Sequence, residues 1–299
     1  MNEVIIKIIP VILIFILGYL LKRLNFLTKE NGALFLKLVF YVSFPALIIL
    51  SITKIKITTE FFYLPIIPIL IIFSTFIFSF FVGRLFNLPR KTFGVYLVGT
   101  LIMNIGFTLP FFIAAYGNMG VARVSMFDFG NGLLTLTFVY LLACKYGKDK
   151  LYYKTMIKKF ALLPSIWALL IGLILNFTNL AIPPIMKDFL QKVGNMTIPL
   201  IMLSLGIYFT PKIIKLLPLS SAIVTRMGLG LLLGFLFVKL FNLEGLNRLI
   251  VLIGSAAPVG YNTLVFSSLE NLDKEFAASL VSISILLGII FIPLLIAVL

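Results

Sequence analysis

The chain is a succession of apolar runs, each long enough to cross a bilayer. A hydrocarbon core about 30 Å thick needs roughly 20 apolar helical residues. Cutting the sequence at its charged and turn-rich breaks leaves ten such runs, at 4–21, 33–52, 61–83, 93–115, 121–144, 160–180, 189–209, 217–241, 247–269 and 276–299. Polar and apolar positions do not alternate within them, which favours helices over the roughly 10-residue strands of a membrane barrel. With 61% hydrophobic and 12% charged residues, no aqueous fold hides this much apolar surface. Lys7 precedes the first run as in a signal peptide, but Lys22 and Arg23 follow it directly with no small-x-small cleavage site, so it reads as a retained span.

The formal charge of +15 does not point to nucleic acid, because the basic residues lie between the apolar runs rather than on one face. Connections after odd-numbered spans carry fifteen Lys and Arg against eight on the other side, which places the richer side in the cytoplasm and both termini outside. This predicts a multi-pass protein of the plasma (inner) membrane, partnered by lipid. The chain has no histidine, which removes the usual general base and the His-ligated metal sites and argues against an enzyme. Cys144, the single cysteine, excludes an intrachain disulfide.

The basic stretch at 146–159 divides the chain into five-span halves, 1–145 and 160–299, that share punctuation. Span two has Ser43-Phe44-Pro45 and span seven has Thr197-Ile198-Pro199; span four has Gly106 four residues before Pro110, and span nine has Gly254 four residues before Pro258. An odd number of spans per half means that the second half enters the membrane in the opposite sense. Such inverted repeats are the architecture of many secondary transporters.

The proline-bearing second and seventh spans, the Gly-x-x-x-Pro interruptions, the stretch Phe127-Asp128-Phe129-Gly130-Asn131 and the region from Ala256-Ala257-Pro258 to Pro293 resemble the auxin efflux carrier family, in its short prokaryotic branch. The resemblance covers nearly the whole chain. It implies an all-α membrane fold of ten helices in two inverted five-helix repeats, with broken helices four and nine crossing at their prolines around the substrate. It also implies a scaffold of spans 1, 2, 6 and 7, a transport bundle of spans 3–5 and 8–10, and a homodimer joined through the scaffold. The long hydrophilic insert of the plant members is absent.

A helix-interior proline removes an N–H and clashes with the carbonyl four residues back, so spans four and nine should split into half-helices beginning at Pro110 and Pro258. Their N-terminal ends would converge on one point suited to a carboxylate. Asn104, Gly106, Thr108, Ser255, Tyr261 and Asn262 stand within one or two turns of these prolines as candidate substrate ligands. Asp128 is the acid placed inside a span, where charge is costly, and Asn131 shares its helix face; the pair suits a coupling proton or sodium ion, or else Asp128 pairs with Arg123 or Arg226. Arg226, well inside span eight, either attracts the anion or snorkels to the headgroups. The sequence thus predicts an alternating-access transporter of a small organic anion, auxin-like or dicarboxylate, with no cofactor and no metal site. The competing readings are a sodium symporter of the bile-acid type and an anion channel.

Overall fold

The computed structural model describes residues 3–147 and 161–299. The greater part of the basic linker predicted at 146–159 lies outside the described residues. All the regular structure is helical, apart from a single antiparallel bridge between Met103 and Val259 among the described residues.

The helices are α1 (Glu3–Arg23), α2 (Lys29–Leu38), α3 (Phe44–Ile52), α4 (Ile66–Arg84), α5 (Arg90–Leu101), α6 (Ile105–Leu134), α7 (Tyr140–Tyr146), α8 (Pro164–Phe177), α9 (Pro184–Gly194), α10 (Thr197–Tyr208), α11 (Leu216–Ile223), α12 (Gly230–Leu240), α13 (Gly245–Ser255), α14 (Asn262–Leu269) and α15 (Lys274–Val298). Short π-turns at Val39–Ser43, Thr135–Val139 and Val224–Leu229 join α2 to α3, α6 to α7 and α11 to α12. Among the described residues, six continuous stretches are long and apolar enough to cross a membrane: Lys29–Ile52, Thr59–Arg84, Ile105–Tyr146, Pro184–Tyr208, Leu216–Leu240 and Lys274–Val298. The first of the ten predicted runs is α1, the sixth contains the 14-residue α8, and the fourth and ninth are interrupted.

Large apolar side chains coat the outside. Leu13, Ile77, Phe81, Ile174, Leu232 and Ile290 are each more than half exposed, as lipid-facing residues must be. Between helices, small residues allow backbones to approach. A side chain at Gly18 would run into the carbonyl of Leu203, and one at Gly206 into that of Phe15, so α1 and α10 pack in backbone contact. Hydroxyls tie the same region together: Ser204 Oγ donates to the Gly32 carbonyl at 2.7 Å, and Thr197 Oγ1 donates to Ser43 Oγ at 3.0 Å. Gly172 of α8 and Gly194 of α9 seat against Ile52 and Leu47 of α3.

The long helix α6 is two helices in one. Gly117, with φ +55° and ψ −142°, turns the chain sharply, and nothing lies within 4 Å of where its Cβ would stand. This separates the fourth predicted run from the fifth at the predicted boundary. Pro110 does not open a helix; it is the sixth residue of α6, whose start is set by Asn104. Pro258 lies in the irregular stretch between α13 and α14, four residues before α14 begins. The first break therefore falls at the Asn104 cap, ahead of Pro110, whereas the second contains Pro258 but extends past it to Tyr261.

Outside the spans, Asp273 caps α15 by accepting from the Phe276 N–H at 3.0 Å, and its other oxygen receives Thr92 Oγ1 and Lys215 Nζ, both at 2.7 Å. Burial by itself would raise the Asp273 carboxyl, but the Lys215, Phe276 and Thr92 hydrogen bonds outweigh it and hold the group below its ordinary 3.8. A carboxyl depressed in the folded state stabilises above its unfolded pKa, and that contribution is lost as pH falls through the folded value. Replacing Asp273 with Ala should cost about 1 kcal/mol of stability near neutral pH, read as a lower melting temperature. The gap from the native chain should close as pH is taken below about 4.

Candidate functional site

The two interrupted spans meet side by side. Where α5 ends, Ile102 is extended (φ −84°, ψ 115°), and Asn104 opens α6 with its Oδ1 accepting from the Phe107 N–H at 3.0 Å. The opposite break runs from Ala256 to Tyr261. Asn104 N–H donates to the Pro258 carbonyl and Gly260 N–H donates to the Ile102 carbonyl, both at 2.9 Å, so each break receives the other as a strand partner. Asn104 Nδ2 adds a bond to the Val259 carbonyl at 3.1 Å.

The groups left over go to side chains from neighbouring helices. Asn131 of α6 takes both sides of Met103: its Oδ1 accepts from the Met103 N–H at 3.4 Å and its Nδ2 donates to the Met103 carbonyl at 3.2 Å. On the other break, Ser284 Oγ of α15 accepts from the Val259 N–H at 3.1 Å. The carbonyls of Thr100 and Ser255, at the C-terminal ends of α5 and α13, receive Arg226 Nη1 at 3.0 Å and Nη2 at 2.8 Å. Met103 and Val259 are only 2% and 0% exposed, so no solvent could have served instead.

A cavity of about 290 Å³ lies against these paired breaks, near the lower end of ligand-pocket sizes. Phe40 and Tyr41 of the π-turn and Phe44 at the start of α3 wall it on one side, and Ile201 and Leu205 of α10 on another. Asn104, Gly106, Asp128, Asn131, Gly260, Tyr261 and Asn262 line its polar side. Gly106 lies in the first turn of α6, and Tyr261 and Asn262 begin α14, so residues at two helix starts, where amides lack helical acceptors, line this space. The Tyr261 ring packs on Tyr208 of α10 at a centroid distance of 4.6 Å.

Of the candidate residues, the structure brings Asn104, Gly106, Asp128, Asn131, Tyr261 and Asn262 to one cavity. Thr108 and Pro110 are buried inside α6 away from it, Thr108 Oγ1 donating to the Ile105 carbonyl at 3.2 Å. Pro110 has no N–H for the Gly106 carbonyl four residues back, which leaves that acceptor without its helical donor. Ser255 directs its hydroxyl to the Val251 carbonyl, and Pro258 contributes its carbonyl to Asn104. Arg226 is fully buried and does not line the cavity.

Neither arginine weighed as a partner reaches Asp128. Arg123 Nε donates to Asn247 Oδ1 at 2.9 Å, and Asn247 Nδ2 in turn donates to Glu60 Oε2 at 2.8 Å. Asp128 Oδ1 instead accepts from Asn131 Nδ2 at 2.9 Å. Asp128 is the one formally charged residue among the described residues that line the cavity. Ser284 and Thr100 escaped sequence reasoning: a serine in an apolar span has no distinguishing signal, and Thr100 acts through its backbone.

Broken helices whose exposed backbone is satisfied inside an apolar helical bundle, next to a polar-lined cavity, define a multi-pass membrane protein built to receive a solute. Residues 3–296 match the family model described as membrane transport protein. The chain belongs to that family, which is the auxin efflux carrier family. It is 26% identical over 294 residues to an uncharacterized transporter of Methanocaldococcus jannaschii, with 95% of both chains covered. It is also 26% identical over 297 residues to an uncharacterized transporter of Methanothermobacter thermautotrophicus, with 96% of this chain and 95% of that one covered.

Truncating Asn104 to Ala strands the buried Val259 carbonyl and leaves the Phe107 N–H with only the residue-104 carbonyl, at 3.1 Å, as acceptor, at a cost of about 1–3 kcal/mol. Hydrogen exchange at Phe107 should accelerate accordingly. Asn131→Ala should do the same at Met103 while leaving Phe107 protected, a pattern that mass spectrometry of short peptides resolves.

Proposed function

We propose that this chain is a secondary transporter that moves a small organic anion by alternating access, holding its carboxylate between the N-terminal ends of α6 and α14. The observation that carries this reading is the convergence of Gly106, Tyr261 and Asn262, three residues at helix starts, on one cavity beside two asparagines. Unpaired first-turn amides and the positive ends of two helix dipoles favour an anion there, and the apolar wall of Phe40, Phe44 and Leu205 receives its hydrocarbon part.

The repeat reading has matching support. Met103 pairs with Val259, Asn131 serves Met103 as Ser284 serves Val259, and Ser43 bonds Thr197 beside Pro45 and Pro199. These three pairs stand nearly the same distance apart along the chain, as two five-span repeats of inverted sense require. The register differs from a Pro110–Pro258 equivalence, which matches the sixth residue of one half-helix to a residue ahead of the other. One-sided access has support too. The cavity reaches Leu36 toward the Lys29 end of its span, whereas at the other end Ser51 bonds Asn118 at 3.4 Å and α3 closes on α6. The proposal places the Lys29 end in the cytoplasm, with both termini outside.

Asp128 supplies the coupling. A substrate carboxylate a few ångströms from a carboxylate in a low-dielectric cavity is strongly repelled, so the anion enters with a proton or sodium ion on Asp128. Asn131 bonds both Asp128 and Met103, which connects the charge state of Asp128 to the crossing.

A thermal-shift screen of the purified protein against malonate, malate and indole-3-acetate, with and without sodium and at two pH values, tests this directly. At least one carboxylate should raise the melting temperature, and Asn262→Ala should weaken its affinity by about tenfold, or 1.4 kcal/mol. Asp128→Asn should abolish the dependence on pH or sodium while leaving the protein folded. A screen in which no carboxylate shifts the native chain under any condition contradicts the anion reading. Asp128→Asn with unchanged dependence contradicts the coupling role.

A further inference from the structure

We propose that Arg226 is a positioning residue: a fixed cation that clasps the negative ends of both half-helices, holds the two breaks in register and leaves the positive helix ends unopposed at the cavity. Its significance for transport rests on the anion reading above; its effect on the crossing does not.

Arg226 is 0% exposed, and its charge must be compensated where it stands. Among the described residues no carboxylate does so. Its hydrogen bonds go to the Thr100 and Ser255 carbonyls, one at the C-terminal end of each half-helix. A helix C-terminus carries roughly half a negative charge, so the two ends together balance about one guanidinium. The planar fork reaches two acceptors at once through Nη1 and Nη2, whereas a lysine ammonium is a point charge on a flexible stem.

Two further features are shaped around this contact. Arg226 sits within the π-turn Val224–Leu229, a local widening that changes the phase at which side chains leave a helix. Gly230 follows immediately, and a side chain there would run into both the Ser255 carbonyl and the Arg226 guanidinium. The corresponding span of the first half, α4, carries no charged residue before Arg84. One arginine therefore serves both breaks, and the clasp is asymmetric although the breaks resemble one another. It joins α11–α12 to the ends of α5 and α13, so that the crossing moves as a unit with them.

Hydrogen exchange by mass spectrometry on peptides covering 98–107 and 252–262 tests the clasp without any substrate. Arg226→Ala should speed exchange at the Met103 and Val259 amides tenfold or more, with distant helices unchanged. Millimolar guanidinium should reverse this in Arg226→Ala, and sodium at matched ionic strength should not. Gly230→Ala should loosen the same two segments without guanidinium rescue, because its own arginine still occupies the space. Arg226→Lys should protect one break better than the other. If Arg226→Ala cannot be obtained folded, the Lys and Gly230→Ala variants carry the test by that pattern. Native exchange at both breaks in any folded variant that removes the fork overturns the proposal, as does a uniform rise across all helices with no guanidinium rescue. In a second arm, malonate and indole-3-acetate are titrated as thermal-shift probes. Weakened binding in Arg226→Ala that guanidinium restores supports the role at the site. Unchanged binding overturns that role. No binding by the native chain removes the anion reading and leaves the exchange result standing.

Discussion

An amide or carbonyl inside an apolar bundle has no water to turn to, and two interrupted helices create several such groups at once. The structure resolves this by placing the interruptions against each other. Ile102 and Asn104 bond Gly260 and Pro258 through the backbone, and Asn104, Asn131, Ser284 and Arg226 take the Met103, Val259, Thr100 and Ser255 groups. Neither break is tolerable alone, because each would strand groups costing several kcal/mol apiece. The pairing makes the irregular stretch possible, and with it a polar-lined cavity inside a helical membrane protein.

The electrostatics follow from the same geometry. Each break creates one helix C-terminus and one helix N-terminus. Both C-termini point to Arg226, while the residues that start the following helices line the cavity with Asn104 and Asp128. Charge is thereby sorted across the paired breaks: negative ends against a buried guanidinium, helix starts beside the cavity. Asp128 is the local exception, and Asn131 joins it to the backbone of the break.

The helical membrane class was legible because apolar length is a property of composition and spacing that packing does not change. The two interrupted spans were legible too, from glycine and proline within apolar runs. The second break does contain Pro258, but the residues at which the following helices begin were not legible. Pro110 reads as a helix start, yet Asn104 caps the helix first and the ring is accommodated within the sixth position of α6. A proline marks only a missing donor; where the chain leaves the helix depends on partners from the other half, such as Pro258 and Gly260, which no local pattern names. Asn131 was placed with Asp128 by helical spacing, and that contact is present. Its second contact, to Met103, required the fold. Arg226 shows the same limit most clearly: its depth in the span was readable, but its partners are backbone carbonyls, which carry no sequence signature.

The account holds that a carboxylate is bound between the starts of α6 and α14. A structure of the protein with a bromine-labelled carboxylate, selected by the thermal-shift response, locates the anion most directly. The account predicts bromine density inside the cavity, with the carboxylate within hydrogen-bonding distance of Asn104 or Asn262 and the first-turn amides beside them. Density at another place in the protein, for a ligand that binds and is transported, would contradict it.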